Sequence, residues 1–201
     1  MSGREADVID SLAGIAKGSR LDRVRAERQQ ARDNAQKSYA ALFAPRFAGA
    51  VTGEERYAVA AFVAGLHRDD RILAFYMDGL GAQNPSRDVV EAIVAEIAHG
   101  AADGPYGRYP PGPLTVEDKV GPAHSISDPN RRTLGARLSA ALEHAHLLIF
   151  HPRDASPAAL QRLLDAGWST TDIVTLSQLV AFLSFQIRVV VGLRALAARA
   201  S

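Results

Sequence analysis

The chain has 201 residues, 47% hydrophobic and 22% charged, with a formal net charge of +1. This suits one substantial globular domain, or one built from two related halves, and argues against nucleic-acid binding by phosphate neutralisation. It has no cysteine, which excludes disulfides, thiolate metal sites, thiol nucleophiles and dithiol redox chemistry.

The opening residues, MSGREADVID, are polar and acidic, so no secretory signal is expected and the protein is placed in the cytoplasm. Helical periodicity dominates beyond them, with no sustained alternation of apolar and polar residues, and the expected fold is all-α. Residues 1–45 are expected to form an N-terminal helical extension ahead of a single compact unit over 46–201. Within the extension, 20–43 is charged and Ala-rich, with a loose apolar edge through Leu21, Val24, Ala31, Ala35, Tyr39 and Leu42. That pattern predicts a solvated helix packed on one side.

Thr52 with Glu55 places a hydroxyl three residues before a carboxylate, the spacing of a capping box. The helix it opens carries Val59, Phe62, Val63 and Leu66 on one face. Segment 87–101 has an apolar stripe through Val89, Val90, Ile93, Val94 and Ile97. A long Gly/Pro-rich connection over 104–129, including GPYGRYPPGPL, follows it. Its prolines cannot continue a helix, and its length points to an ordered functional loop or an arm reaching a neighbouring subunit.

A helix over 132–150 is then expected, with Leu134, Leu138, Leu142, Ala145 and Ile149 on one stripe. Ser156 before Pro157 marks another helix start, and Ser169 with Asp172 a second capping box. The helix after Ser169 lies in the longest apolar stretch, 173–193, which Gln178, Gln186 and Arg188 interrupt. It therefore reads as a buried central helix rather than a membrane span. Shifting the sequence by 117 residues sets Thr52 on Ser169, Glu55 on Asp172, Leu66 on Leu183 and Arg71 on Arg188, a weak internal repeat.

Several polar groupings stand out. Glu96 with His99, and Glu143 with His146, have the Glu-x-x-His spacing of di-iron bundle ligands, but off-stripe positions favour surface pairs. His144, His146 and His151 read as exposed histidines near a helix C-terminus, so no metal is expected. Tyr106 and Tyr109 offer rigid aromatics in the loop, and Trp168 a packing staple before the last helix. Arg188, inside an apolar helix, must be paired, exposed, or set at a cavity or subunit boundary.

The segment TGEERYAVAAFVAGLHRDDRILAFYMDGL resembles the core hairpin of the carboxymuconolactone decarboxylase and alkylhydroperoxidase D superfamily, which carries a Glu, a Cys-x-x-Cys pair and a His. LLDAGWSTTDIVTLSQLVAFLSFQIRVVVGLRAL looks like the C-terminal helices of its peroxidase-related members, and the likeness spans roughly 52–80 and 134–197. It implies an alkylhydroperoxidase D-like helical array and a homo-oligomer: dimer, trimer or hexamer. On that motif the acidic relay position falls on Tyr57, the cysteines on Asp69 and Ile72, and the relay histidine on Tyr76. The histidine of the decarboxylase branch falls on Phe75. None of these chemical groups is kept, and without thiols no dithiol peroxidase can operate.

Near the former redox position remain His67, Arg68, Asp69, Asp70 and Arg71. One reading is a small-molecule site, for a carboxylate or lactone-like substrate, with His67, Asp69 and Tyr76 as catalytic candidates and Arg71, Tyr57 and Arg188 binding substrate. The other is a solvated turn on a non-catalytic scaffold, paired with a cysteine-bearing relative. No cofactor, nucleic acid or membrane partner is expected.

Overall fold

The computed structural model describes residues 7–47 and 49–199, so the outer ends of the expected units 1–45 and 46–201 lie outside the described residues. Within them the chain is all-α. Its helices are α1 (Val8–Ala13), α2 (Arg20–Ala26), α3 (Gln29–Phe43), α4 (Gly53–Leu66), α5 (Asp70–Gly81), α6 (Arg87–His99), α7 (Asp128–Phe150), α8 (Pro157–Asp165) and α9 (Thr170–Ala198). Single 3₁₀ turns occur at Pro113–Glu117 and Pro152–Asp154.

α4 is the centre of the core. It packs against α5, α6, α7 and α9, and every residue from Ala58 to Ala64 is buried. The apolar face expected through Val59, Phe62 and Val63 is therefore only part of its contact surface. Ala58, Ala60, Ala61 and Ala64 fill the rest, and small side chains let helices approach from all sides; a helix apolar all round is a buried helix.

α9 runs along this core with Ile173, Leu176, Val180, Leu183, Ile187 and Val190 buried, against α1, α3, α4, α7 and α8. It is long and apolar enough to cross a membrane by length and composition alone. Packed on five helices, it is equally compatible with the core of a soluble protein.

The extension departs from expectation. Instead of one helix over 20–43, the chain breaks at Arg28 (φ −120°, ψ 50°) into α2 and α3. The break brings Arg25 and Arg32 onto one acidic cluster: Arg25 pairs with Asp7 at 2.7 Å and with Asp10, and Arg32 with Asp10 and, at 2.9 Å, with Asp22. These charges neutralise one another inside a fold rather than forming a solvated face. Val8, Ile9 and Leu12 of α1 join the same hydrophobic core as α4 and α9.

Both capping boxes form. Thr52 Oγ1 accepts from Glu55 N at 3.1 Å while Thr52 N donates to Glu55 Oε2 at 2.8 Å; Ser169 and Asp172 repeat the exchange at 3.2 and 3.3 Å. Arg137 of α7 joins the two. Its Nε donates to Glu55 Oε1 at 2.6 Å, and its Nη2 lies 3.7 Å from Asp172 Oδ2. Its guanidinium also donates to the carbonyls of Gly167 (2.6 Å) and Ala50 (3.3 Å) and stacks on the Trp168 ring at 4.0 Å. Trp168 Nε1 returns a bond to Arg137 O at 2.9 Å. α7 itself starts at Asp128, ahead of the expected 132, and is interrupted at Gly135, whose φ of 74° and ψ of 166° suit glycine.

Arg137→Ala is expected to destabilise the protein by about 2–4 kcal/mol, because it strands a largely buried carboxylate and two carbonyls. Urea unfolding measures this. Arg137→Lys should recover only part, since one ammonium cannot reach Glu55 and both carbonyls; a loss below about 0.5 kcal/mol in the alanine variant would refute the bridging role.

Candidate functional site

Of the six candidate site residues, two line the same cavity. A cleft of about 740 Å³ opens between the C-terminal end of α4, the end of α7 and the middle of α9, with His67, Ser177, Ser184 and Arg188 among apolar walls that include Phe150 and Val180. His67 is the C-cap of α4. Its Nε2 is buried and has no hydrogen-bond partner. Burial, and next the nearby Arg188 cation, push the imidazole below its ordinary pKa, so it is neutral at neutral pH. Arg188 lies on the exposed side of α9 at the cleft and makes no ion pair among the described residues.

The other four candidates are engaged elsewhere. Asp69 is the N-cap of α5, accepting from Ile72 N at 2.9 Å, and its carboxylate pairs with Arg194 at 2.6 Å. Burial works to raise its pKa, but the bonds from Arg194 and Ile72 outweigh it and hold the group below the usual carboxylate value. Tyr76 is fully buried, stacked on Phe43 and edge-on to Phe75, and its hydroxyl donates to Gln186 Oε1. Burial pushes that hydroxyl well above the ordinary tyrosine value.

Arg71 points away from the cleft and donates to Ser11 O at 3.2 Å. Tyr57 is half-buried against Phe43, with ring centroids 5.0 Å apart. The turn between α4 and α5 is closed further by Arg68, which pairs with Asp103 at 3.0 Å in an exposed contact.

Ser177 ties the cleft to α7, its Oγ lying 3.1 Å from His144 Nε2. The pair resembles a nucleophile and base, yet His144 Nδ1 is buried without a partner, so the third, orienting group of a hydrolytic triad is missing. Burial, then Arg162, push His144 down to about 4, which leaves a weak base. A second cleft, of about 620 Å³, lies between α3 and α9. Its charged groups are committed: Arg56 donates to Val51 O and Leu42 O, and Asp172 serves its capping box.

A second constellation lies beside α6. Glu96, expected on the surface, is fully buried. α6 turns its Ala92, Ile93 and Glu96 arc inward and leaves Val94 of the expected stripe 51% exposed, because the loop before α7 supplies partners for the carboxylate. Glu96 Oε1 accepts from Ser127 N (3.1 Å), Ser127 Oγ (2.9 Å) and Asn130 Nδ2 (2.7 Å). Its Oε2 faces His99 Nδ1 at 3.2 Å and His124 Nε2 at 3.3 Å.

His144 and His146, expected as exposed residues, are buried. His146 donates from Nε2 to Gly100 O at 3.0 Å and stacks on His124 with centroids 4.8 Å apart. His151 is bound to Asp154 and Pro122 O, both at 2.9 Å. In the loop, Tyr106 is buried against His151 and accepts from Asp103 N at 3.2 Å, while Arg153 covers Tyr109 at 4.1 Å. His124 had no signal in the sequence: a lone histidine in an aperiodic loop carries none.

Comparison with known protein families, with curated proteins and with solved structures finds no match. The site must be argued from its own chemistry.

The two buried histidines set a pH dependence. His144 and His146 are each lowered by burial from 6.5 to about 4, so between those values the unfolded chain binds more protons and unfolding is favoured as pH falls. Stability is complete above about pH 6.5 and declines towards pH 4, by about 3 kcal/mol per histidine at the acid limit. Thermal unfolding from pH 7.5 to 4.5 should show this decline. His144→Gln should flatten it; an unchanged slope would contradict the assignment.

Proposed function

We propose that the cleft between α4, α7 and α9 binds a small organic carboxylate or lactone-like acid, on a carboxymuconolactone decarboxylase-like scaffold that has no dithiol chemistry. The observation that carries this reading is the pairing, on the walls of one cavity, of a buried nitrogen, His67 Nε2, without a hydrogen bond and a cation, Arg188, without an anionic partner among the described residues. A buried polar atom without a hydrogen bond costs free energy that a ligand oxygen would recover. Arg188, at the exposed rim of the cleft, offers the planar fork that pairs with a carboxylate, and the apolar walls suit the rest of an organic ligand.

Neutral at neutral pH, His67 is suited to accept a proton from a bound hydroxyl or an acidic carbon, or to donate a hydrogen bond to a ring oxygen. With no cysteine in the chain, thiolate attack on a peroxide has no nucleophile. The family likeness rests on the hairpin sequence and on an all-α fold with α4 and α5 packed together at its centre.

Calorimetric titration with benzoate and with γ-lactone carboxylates tests the site. Binding should weaken roughly 10- to 100-fold in Arg188→Ala, the loss expected for one charge-assisted contact, and also fall in His67→Ala. Retention of full affinity in both variants would sink the proposal.

A second reading follows from the outer face of α9, where Val174, Gln178, Ala181, Phe185 and Arg188 form one exposed stripe. An apolar stripe on the longest helix suits contact with a second copy of the chain along the rim of the cleft, in line with the homo-oligomer implied by the likeness. Phe185, 47% exposed, is the residue to change. Native mass spectrometry should find an oligomer for the parent protein and monomer for Phe185→Glu; a monomeric parent would end this reading.

A further inference from the structure

We propose that Glu96 Oε2, His99 Nδ1 and His124 Nε2 form a site for one divalent transition cation of the zinc class, independent of the cleft at His67. These three atoms lie within 4.8 Å of one another. The two separations from the carboxylate oxygen, 3.2 and 3.3 Å, match the spacing of roughly 3.4 Å between ligand atoms in a tetrahedron of about 2.1 Å bonds. Two imidazoles and one carboxylate are the donor set of a borderline cation, and the lack of thiolates disfavours softer ions.

The surroundings are built as a ligand cage requires. Glu96 Oε1 is saturated by Ser127 and Asn130, which fixes the carboxylate and leaves Oε2 turned to the histidines. The His124 side chain is 2% exposed, and its Nε2, although 3.3 Å from Glu96 Oε2, is misaligned for a hydrogen bond and has no partner. A cation placed between them supplies what a hydrogen bond does not. Behind His124, the stacked His146 ring is held by Gly100 O, and Glu143 binds the loop through Ser125 and Ile126 N. Such outer contacts orient ligands and raise affinity.

Glu143 and His146 are thereby occupied, which leaves one metal position rather than a dimetal pair. His99 is the mobile wall. Its side chain is 59% exposed, so an ion enters past it and the remaining coordination position faces solvent. On binding, the proton that His99 Nδ1 shares with Glu96 moves to the other ring nitrogen, and the imidazole coordinates as a neutral ligand.

The test uses the full chain after treatment with a chelator, dialysed against zinc chloride and, separately, cobalt chloride, with bound metal measured by elemental analysis. One equivalent is expected, with the visible bands of low-coordinate cobalt and a raised melting temperature in zinc. His124→Ala and His99→Ala should each weaken binding more than about 100-fold, beyond the 10- to 100-fold usual for outer contacts. The second substitution removes one hydrogen bond from Glu96 Oε2 and should lower the metal-free unfolding midpoint only modestly; lost metal binding in a variant that still unfolds cooperatively separates ligand loss from misfolding. Absence of stoichiometric binding, or binding undiminished in both variants, would overturn the site.

Discussion

Arg137 joins the starts of α4 and α9. The two longest-range features of the core, α4 and α9, each begin with a capping box, and the carboxylates that close those boxes both face one guanidinium. Because Glu55 satisfies the first turn of α4 with one oxygen and Arg137 with the other, the start of α4 is fixed relative to α7. Trp168 then fixes α7 relative to the start of α9, through its ring and its indole N–H. The two capped helices thus meet at an arginine that belongs to neither of them.

The residues at the turn between α4 and α5 act as joints. An aspartate at an N-cap satisfies a backbone N–H that would otherwise be orphaned, and Asp69 does so while anchoring Arg194, which in turn donates to Leu12 O at 2.7 Å. Ile72 and Tyr76 point from the same helix into the core. This region locks α1, α5 and the end of α9 to one another. The candidate residues that line a cavity, His67 and Arg188, lie across the α4 terminus.

How far the sequence could be read depended on whether a feature was local. Capping boxes, the Ser156–Pro157 start and the apolar face of α9 are set by neighbours three or four residues apart, and they are legible for that reason. The break at Arg28 was not, because it is driven by Asp7 and Asp10, which arrive from another helix. Glu96 looked like a surface residue since its partners, His124, Ser127 and Asn130, are about thirty residues away, in an aperiodic loop and the first turn of α7. Of the candidate site, His67 could be named from the polar cluster at the turn after α4 and Arg188 as a charge inside an apolar helix, whereas the fact that they share a cavity is a property of the packing of α4 on α9.

The connection between α6 and α7 has almost no core of its own. Val116 and Val120 are 88% and 87% exposed, and apart from Tyr106 and Ile126 little of it is buried. Its C-terminal end is held by two carboxylates, Glu96 and Glu143, that accept its backbone N–H groups. A segment fastened in this way can open as a unit while the helices beneath stay folded. Its amide exchange and susceptibility to cleavage then depend on those two anchors at its C-terminal end, so the loop can act as a local reporter of events at Glu96.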